Sequence, residues 1–269
     1  MRIATFNMHA GVDGWGRPTQ AFEGLIGLDP DIAILPETWR GDAGPDFYTE
    51  LCHRLGAQGE FVQLARAERV HAEGGGAFWQ PLSAHLMGEQ GLYFSEHRPL
   101  KPAQLTKRGK STTLEVGSWG LSVISKFPIR SSETFQLGRL RREKVQRALI
   151  IAHLTDPSTG SDFVVAAIHG AHISHGSYRL YRTVREHLAT LPLSTPVLFG
   201  GDFNAWRPWV RFFFPGWSHL AKHRTWPARF PHSQIDHLLG RGPWMVQESG
   251  ATNLGSDHRA LYCDLTLQS

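Results

Sequence analysis

A layered α/β fold with two packed, mainly antiparallel sheets is what this sequence predicts. Short runs rich in Val, Ile, Leu and Phe recur from one end to the other, as strands do. Only a few segments carry helical spacing, and strands and helices do not alternate regularly. Two facing sheets with a few covering helices account for that pattern. The chain has 269 residues, nine Trp and 41% apolar residues, enough apolar surface for a packed core. Its polar clusters run from end to end with no Ser/Pro-rich linker, so residues 1–269 are read as a single domain.

Residues 3–8 read as a strand, followed by a loop marked by Gly11, Gly14, Gly16 and Pro18. Residues 19–27 suit a short helix, and 31–35 a buried strand that ends by delivering Glu37. Phe47, Leu51 and Leu55, with Gly56 as a stop, predict a helix over 45–56. Shorter strands are expected at 61–65, 77–82 and 91–95, and a loop at 97–113. Further strands follow at 119–125, 148–154 and 163–168. Leu180, Tyr181, Val184, Leu188 and Leu191 set an amphipathic helix over 178–191. A strand at 196–199, an irregular stretch at 206–231 and strands at 234–239, 245–249 and 258–267 complete the series.

The formal net charge is +4 with 15 His uncounted, and the isoelectric point is about 9.3. That small excess suits an anionic substrate and is compatible with nucleic acid. Arg139, Arg141, Arg142, Lys144 and Arg147 form either a phosphate-contacting rim or a solvated hairpin. Cys52 falls in a helical pattern and Cys263 in the last strand. They read as separate buried thiols, which favours a reducing compartment. The chain opens on strand residues, leaving no room for a signal peptide, and no apolar stretch is long enough to span a bilayer. The expectation is a cytoplasmic monomer.

Chemistry concentrates in five polar clusters. The most informative is Phe199-Gly200-Gly201-Asp202-Phe203-Asn204, where a buried run ends by presenting a carboxylate and a carboxamide. Two apart on extended backbone, these point to one side. The others are Asn7 with His9, Glu37, His169 with His172, and Ser256-Asp257-His258. A carboxylate closing a buried strand, as Glu37 does, is costly unless it is paired or coordinated. Carboxylate and amide oxygens suit a hard divalent cation. Plainer readings exist for each: a tight turn built with Asp and Asn, or a surface Glu at a strand end. The run of Trp206, Trp209, Phe212, Phe213, Phe214 and Trp217 among Arg207 and Arg211 admits three readings. It could stack on flat substrates, dip into a membrane interface or form a satellite core.

Seven segments in order resemble the endonuclease/exonuclease/phosphatase superfamily of metal-dependent phosphodiesterases and phosphatases. They are Ile3-Ala4-Thr5-Phe6-Asn7, Pro30-Asp31-Ile32-Ala33-Ile34-Leu35-Pro36-Glu37, Gly120-Leu121-Ser122-Val123-Ile124-Ser125-Lys126, Val165-Ala166-Ala167-Ile168-His169, Gly201-Asp202-Phe203-Asn204, Gln234-Ile235-Asp236-His237 and Ser256-Asp257-His258. The resemblance implies a four-layered α-β-β-α sandwich and a divalent-metal-dependent phosphoesterase using Mg²⁺ or Mn²⁺. It implies Asn7, Glu37 and Asp257 at the metal, with Asp202 orienting or deprotonating the attacking water and Asn204 bonding the phosphate. His258 would contact the scissile phosphate, with Asp236 fixing its tautomer. A further catalytic histidine is His169, which ends a strand of the right length, or His172. His9 stands where the family usually has an acid, which leaves a second metal contact open. His237, on the face opposite Asp236, reads as a packing residue and Lys126 as part of the fold. The implied substrate is a phosphodiester, with a nuclease the leading reading. A phosphomonoesterase, a sphingomyelinase-like lipid-headgroup phosphodiesterase and a catalytically silent binding module are the competing ones.

Overall fold

The computed structural model describes residues 1–12, 18–73, 80–81, 111–140, 143 and 145–268. In chain order the strands are β1 (Arg2–Thr5), β2 (Ile32–Gly41), β3 (Gln58–Glu73), β4 (Gln80–Pro81), β5 (Ser111–Ser125), β6 (Ile129–Gly138), β7 (Arg147–Thr155), β8 (Asp162–His169), β9 (Val197–Asp202), β10 (Ser218–His219), β11 (Asp236–Arg241), β12 (Trp244–Thr252) and β13 (Ala260–Leu267). The α-helices are α1 (Ala21–Leu28), α2 (Phe47–Leu55), α3 (Ser177–Ala189) and α4 (Arg207–Phe213). One sheet runs β12-β13-β1-β2-β5-β3-β4 and the other β10-β11-β9-β8-β7-β6. Within them β1 with β2 and β8 with β9 are parallel, and the other pairs are antiparallel.

Period-two alternation sorts the apolar side chains onto two faces of each sheet. Ile3, Ile34, Leu121 and Val123 meet Ile150, Val165, Leu198 and Leu238 between the sheets. Val164, Ala166 and Phe199 face outward, under Leu180, Tyr181 and Val184 of α3 and Phe213 of α4. On the other side, Ala33, Leu35 and Ile124 lie under Phe22 and Leu25 of α1 and Leu51 of α2. Each fully buried aliphatic or aromatic side chain contributes about 1.5–3 kcal/mol, so the α-β-β-α order is held mainly by these three cores. No helix among the described residues is long and apolar enough to cross a membrane. Cys263 is buried and Cys52 half-buried, and both are free thiols. Lys126 pairs with Asp29 at 2.6 Å.

Several expectations need correction. The first strand, Arg2–Thr5, is shorter than 3–8: its ladder with β13 ends at Thr5, and a 3-10 turn follows at His9–Gly11. Residues 206–231 are not irregular throughout: α4 and β10 lie within them. Residues 111–113 belong to β5 rather than to a loop. Strand β6 was not foreseen, since its side chains are a mixture of half-buried and exposed and give no apolar run. Gly14, Gly16, the strand at 91–95 and the rest of the 97–113 segment lie outside the described residues, as do Arg141, Arg142 and Lys144. Arg147 is not on a solvated hairpin. It is buried in an ion pair with Glu143, which also takes His175 Nδ1 at 2.5 Å.

Candidate active site

Glu37 does not end its strand. Strand β2 continues to Gly41, and its pairing with β5 slips between Pro36 and Thr38, leaving Glu37 as a bulge with φ 60°. A bulge adds one residue and re-aims the side chain there. It also shifts the alternation by one, so that Ile34 before it and Trp39 after it both reach the inter-sheet core. Glu37 Oε1 accepts from Asn7 Nδ2 at 3.0 Å and Oε2 from Trp119 Nε1 at 3.3 Å. His9, Glu37 and Asn204 account for three of the five non-glycine residues at positive φ among the described residues. Such conformations cost about 1–3 kcal/mol each and persist where surrounding structure enforces them.

Strands β8 and β9 run side by side to His169 and Asp202, which are register partners. Gly201 between them has φ 137°, and a Cβ there would sit 1.8 Å from the Ile168 carbonyl oxygen, so only glycine fits. Asp202 is buried; its Oδ1 accepts the Asn204 backbone N–H at 2.7 Å and its Oδ2 accepts Asn7 Nδ2 at 3.1 Å. Asn204 reaches the cleft by a different route from the extended geometry expected. With φ 48° it lies in a turn, and its Nδ2 donates to the Gly170 carbonyl at 3.2 Å. The turn is held from behind, where Tyr181 OH donates to the Phe203 carbonyl. His237 Nε2 lies 2.9 Å from the Ala205 carbonyl, and burial keeps its pKa down at about 3.

Asp236 pairs with Asp202 across β11 and β9, and its Oδ2 lies 2.8 Å from His258 Nδ1. His258 Nε2 is 3.9 Å from Asp202 Oδ2. Burial opposes charge on His258, but Asp236, then Asp202 and Asp257, outweigh it and hold its pKa at about 10. The same burial, reinforced by Asp236, raises the Asp202 carboxyl to about 7, against the pull of His258. His169 Nε2 is 3.8 Å from both Glu37 Oε1 and Asp202 Oδ2. Burial, then Arg147 and His258, press its pKa well below the ordinary value. The raised His258 and the lowered His169 thus stand on either side of buried Asp202, with buried Asp236 behind His258.

A family model described as the endonuclease/exonuclease/phosphatase family matches residues 4–258, from β1 through His258. The chain belongs to this family. The protein YbhP of Escherichia coli K12 is 28% identical over 141 residues, covering 48% of this chain and 54% of YbhP. The chain thus spans about half the length of the curated relatives it matches. Among solved structures, an endonuclease/exonuclease/phosphatase from Beutenbergia cavernae superposes with TM-score 0.64 at 18% identity, over 99% of this chain and 71% of that one. The human nocturnin catalytic domain, solved with a bound sulfate anion, gives TM-score 0.62 at 18% identity, over 100% and 93%. A mannosyl-6-phosphatase of Bacteroides thetaiotaomicron gives 0.61 at 15%, over 99% and 100%. At these identities the superpositions speak for the fold.

Members of this family act on phosphate esters and are generally divalent-metal dependent, and the donors present fit a hard cation. Glu37 and Asp257 supply carboxylate oxygens, and both charges reach His9. Burial works against protonating His9, yet Glu37 and then Asp257 raise its pKa. Its Nδ1 is 2.6 Å from the Val12 carbonyl, which leaves Nε2 as its remaining ring nitrogen. Asn7 presents nitrogen, not oxygen, to Glu37 and Asp202, because its Oδ1 accepts the His9 N–H at 3.0 Å; ligation by Asn7 would require turning the amide over. The ligand atoms of Asp202, Asp236 and His258 also lie within 4.8 Å of one another. That group fits a cation less well, since His258 Nδ1 is spent on Asp236.

His172 is exposed and lines the cleft beside Asn204 and His258, and its ring lies 5.5 Å from that of His175. The expected result is that His169→Ala loses far more turnover than His172→Ala, with both variants melting cooperatively near the wild type. A reversed ranking would transfer the role to His172. Two contributors escaped the sequence reading. Trp119 caps Glu37 and Tyr181 holds the Asp-Phe-Asn turn. Trp119 and Tyr181 looked like ordinary core residues, and their polar atoms find their partners only across strands and layers.

Proposed function

We propose that this chain is a divalent-metal-dependent phosphoesterase that hydrolyses a phosphodiester, nucleic acid foremost, by attack of an activated water. What carries the reading is the convergence of Glu37, Asn7, Asp202, His169 and the Asp236–His258 pair at one edge of the two sheets. Glu37 and Asp257 would hold the cation, whose chemistry is to neutralise charge on the phosphoryl group. Asp202 is buried, anchored through Oδ1, and faces the cleft with Oδ2, as suits a group that orients and deprotonates water. His258, protonated and steered by Asp236, offers Nε2–H and a positive charge to a phosphoryl oxygen. Asn204 and His169 flank the same space. His9 replaces the usual acid and lowers the negative charge around the cation.

The test is turnover of bis(p-nitrophenyl) phosphate by the full chain with Mg²⁺ or Mn²⁺, beside p-nitrophenyl phosphate and an EDTA control. Diester turnover that EDTA abolishes and added metal restores is expected. Full activity in EDTA would overturn metal dependence, and turnover of the monoester alone would make the protein a phosphomonoesterase.

A further inference from the structure

Two cavities share a wall, and one of them opens beside His258. The nearer, about 300 Å³, is lined by Asn204, His258, Trp206 and Trp226 among others. The second, about 510 Å³, lies beyond Trp206, His232 and Ser233, which line both. Arg207, Lys222, His223 and Arg224 stand around the second cavity, and no carboxylate is among its lining residues.

The nearer cavity is a slot for a flat group. Trp206 is 58% exposed and Trp226 37% exposed, so two large rings stay uncovered beside the reacting centre. Trp226 is held in advance of any ligand. Its backbone pairs with Ser233 in a short hairpin, and its ring meets His232 edge-on at 5.4 Å. An indole fixed in this way loses little freedom on stacking. The volume suits one nucleoside-sized group.

The second cavity is a site for an anion. Arg207, Lys222 and Arg224 are exposed and form no ion pair among the described residues. The positive field there is unbalanced. His219, lowered first by burial and then by Arg207, Arg211 and Lys222, is held at about 4. A slot for a ring followed by a basin for an anion matches the repeat of a nucleic-acid strand. A base can enter the slot only if it is unpaired and unstacked, which a duplex does not offer.

We propose that the two cavities form one groove for single-stranded nucleic acid, with a base on Trp206 and Trp226 and a neighbouring phosphate among Arg207, Lys222 and Arg224. This assignment rests on the phosphodiesterase reading and deepens it. The groove can be tested apart from the chemistry. Fluorescence anisotropy of a labelled dodecathymidylate in EDTA reads binding alone, while bis(p-nitrophenyl) phosphate reads chemistry alone. Wild type is expected to bind the single strand more tightly than a duplex of equal length. Trp226→Ala should weaken single-strand binding about fivefold to a hundredfold. Lys222→Ala with Arg224→Ala should flatten the slope of log affinity against log salt by about 0.7 per charge removed. In each variant the loss in kcat/KM should be larger on the oligonucleotide than on the small diester. Equal binding of duplex, an unchanged salt slope, or equal losses on both substrates would overturn the groove. Turnover of the small diester without oligonucleotide binding overturns the groove alone. Selective single-strand binding without turnover of any diester supports the groove and overturns the enzymatic reading.

Discussion

Asp202→Asn is expected to give a folded, metal-binding protein whose turnover has fallen by at least about a hundredfold, and by up to about ten-thousandfold, the range for loss of a general base. The substitution keeps size and shape, so the turn to Asn204 can still close on the remaining side-chain oxygen. Two things vanish: the group that takes a proton from water, and a negative charge 3.9 Å from His258 Nε2. The second Asp202 oxygen now accepts from Asn7; an NH₂ in its place would face another NH₂, a local clash of donors. Steady-state kinetics on a diester, with a thermal melt and metal titration as controls, check the result. A rate near that of the wild type on the same substrate would show that Asp202 serves the turn and not the chemistry.

Glu37→Gln is the second large effect. Glu37 sits at a bulge, partly open to the cleft with its side chain 12% exposed, and both oxygens have been given partners, Asn7 and Trp119. Gln matches its length and can hold the same backbone, so the sheet should survive. Replacing a carboxylate by an amide removes the charge that draws a hard cation. The loss in Mn²⁺ affinity should exceed the about ten- to hundredfold typical of an outer partner, with turnover falling in step and recovering partly at high metal. Calorimetric titration against the wild type measures it. Unchanged affinity would move the cation away from Glu37.

Much of the candidate site was legible because its residues sit where strands run out. Asn7, His169 and Asp202 each follow an apolar run, and a buried run followed by a polar residue needs no partner strand to be seen; His258 showed as part of a polar cluster before the last strand, and Asp236 entered only through the family resemblance. Glu37 was found for a partly mistaken reason. Its strand does not end there, and a bulge is a relation between two strands that one strand's sequence does not contain. The helix α4 was hidden by its own composition. Val210 and Phe213 turn inward while Trp209 and Phe212 remain exposed, but a stretch with aromatics at so many positions conceals that split. Pro208 in its first turn, a common helix-start signal, was the clue available. Strand β6 is an edge strand whose half-wet face leaves no apolar pattern to find. The buried Arg147–Glu143 pair lies inside what reads as a basic surface run, because charge counts carry no information about depth.

The short hairpin that carries Trp226 is stitched to the centre at several points. Thr225 Oγ1 accepts the Asp236 N–H at 3.3 Å, the Ala228 N–H donates to the Asp257 carbonyl at 2.7 Å, and the Arg259 N–H donates to the Thr225 carbonyl at 2.8 Å. The wall of the cleft and the Asp236–His258 pair are therefore one mechanical part. Descent with modification has less room on this wall than on the opposite one. A change of loop length here is inherited together with a displaced acid–histidine pair, whereas side chains on the exposed face of α4 can be exchanged without moving it. Room for a change in what such a chain accepts therefore lies in residues 206–212, while the hairpin can move only together with the acid–histidine pair.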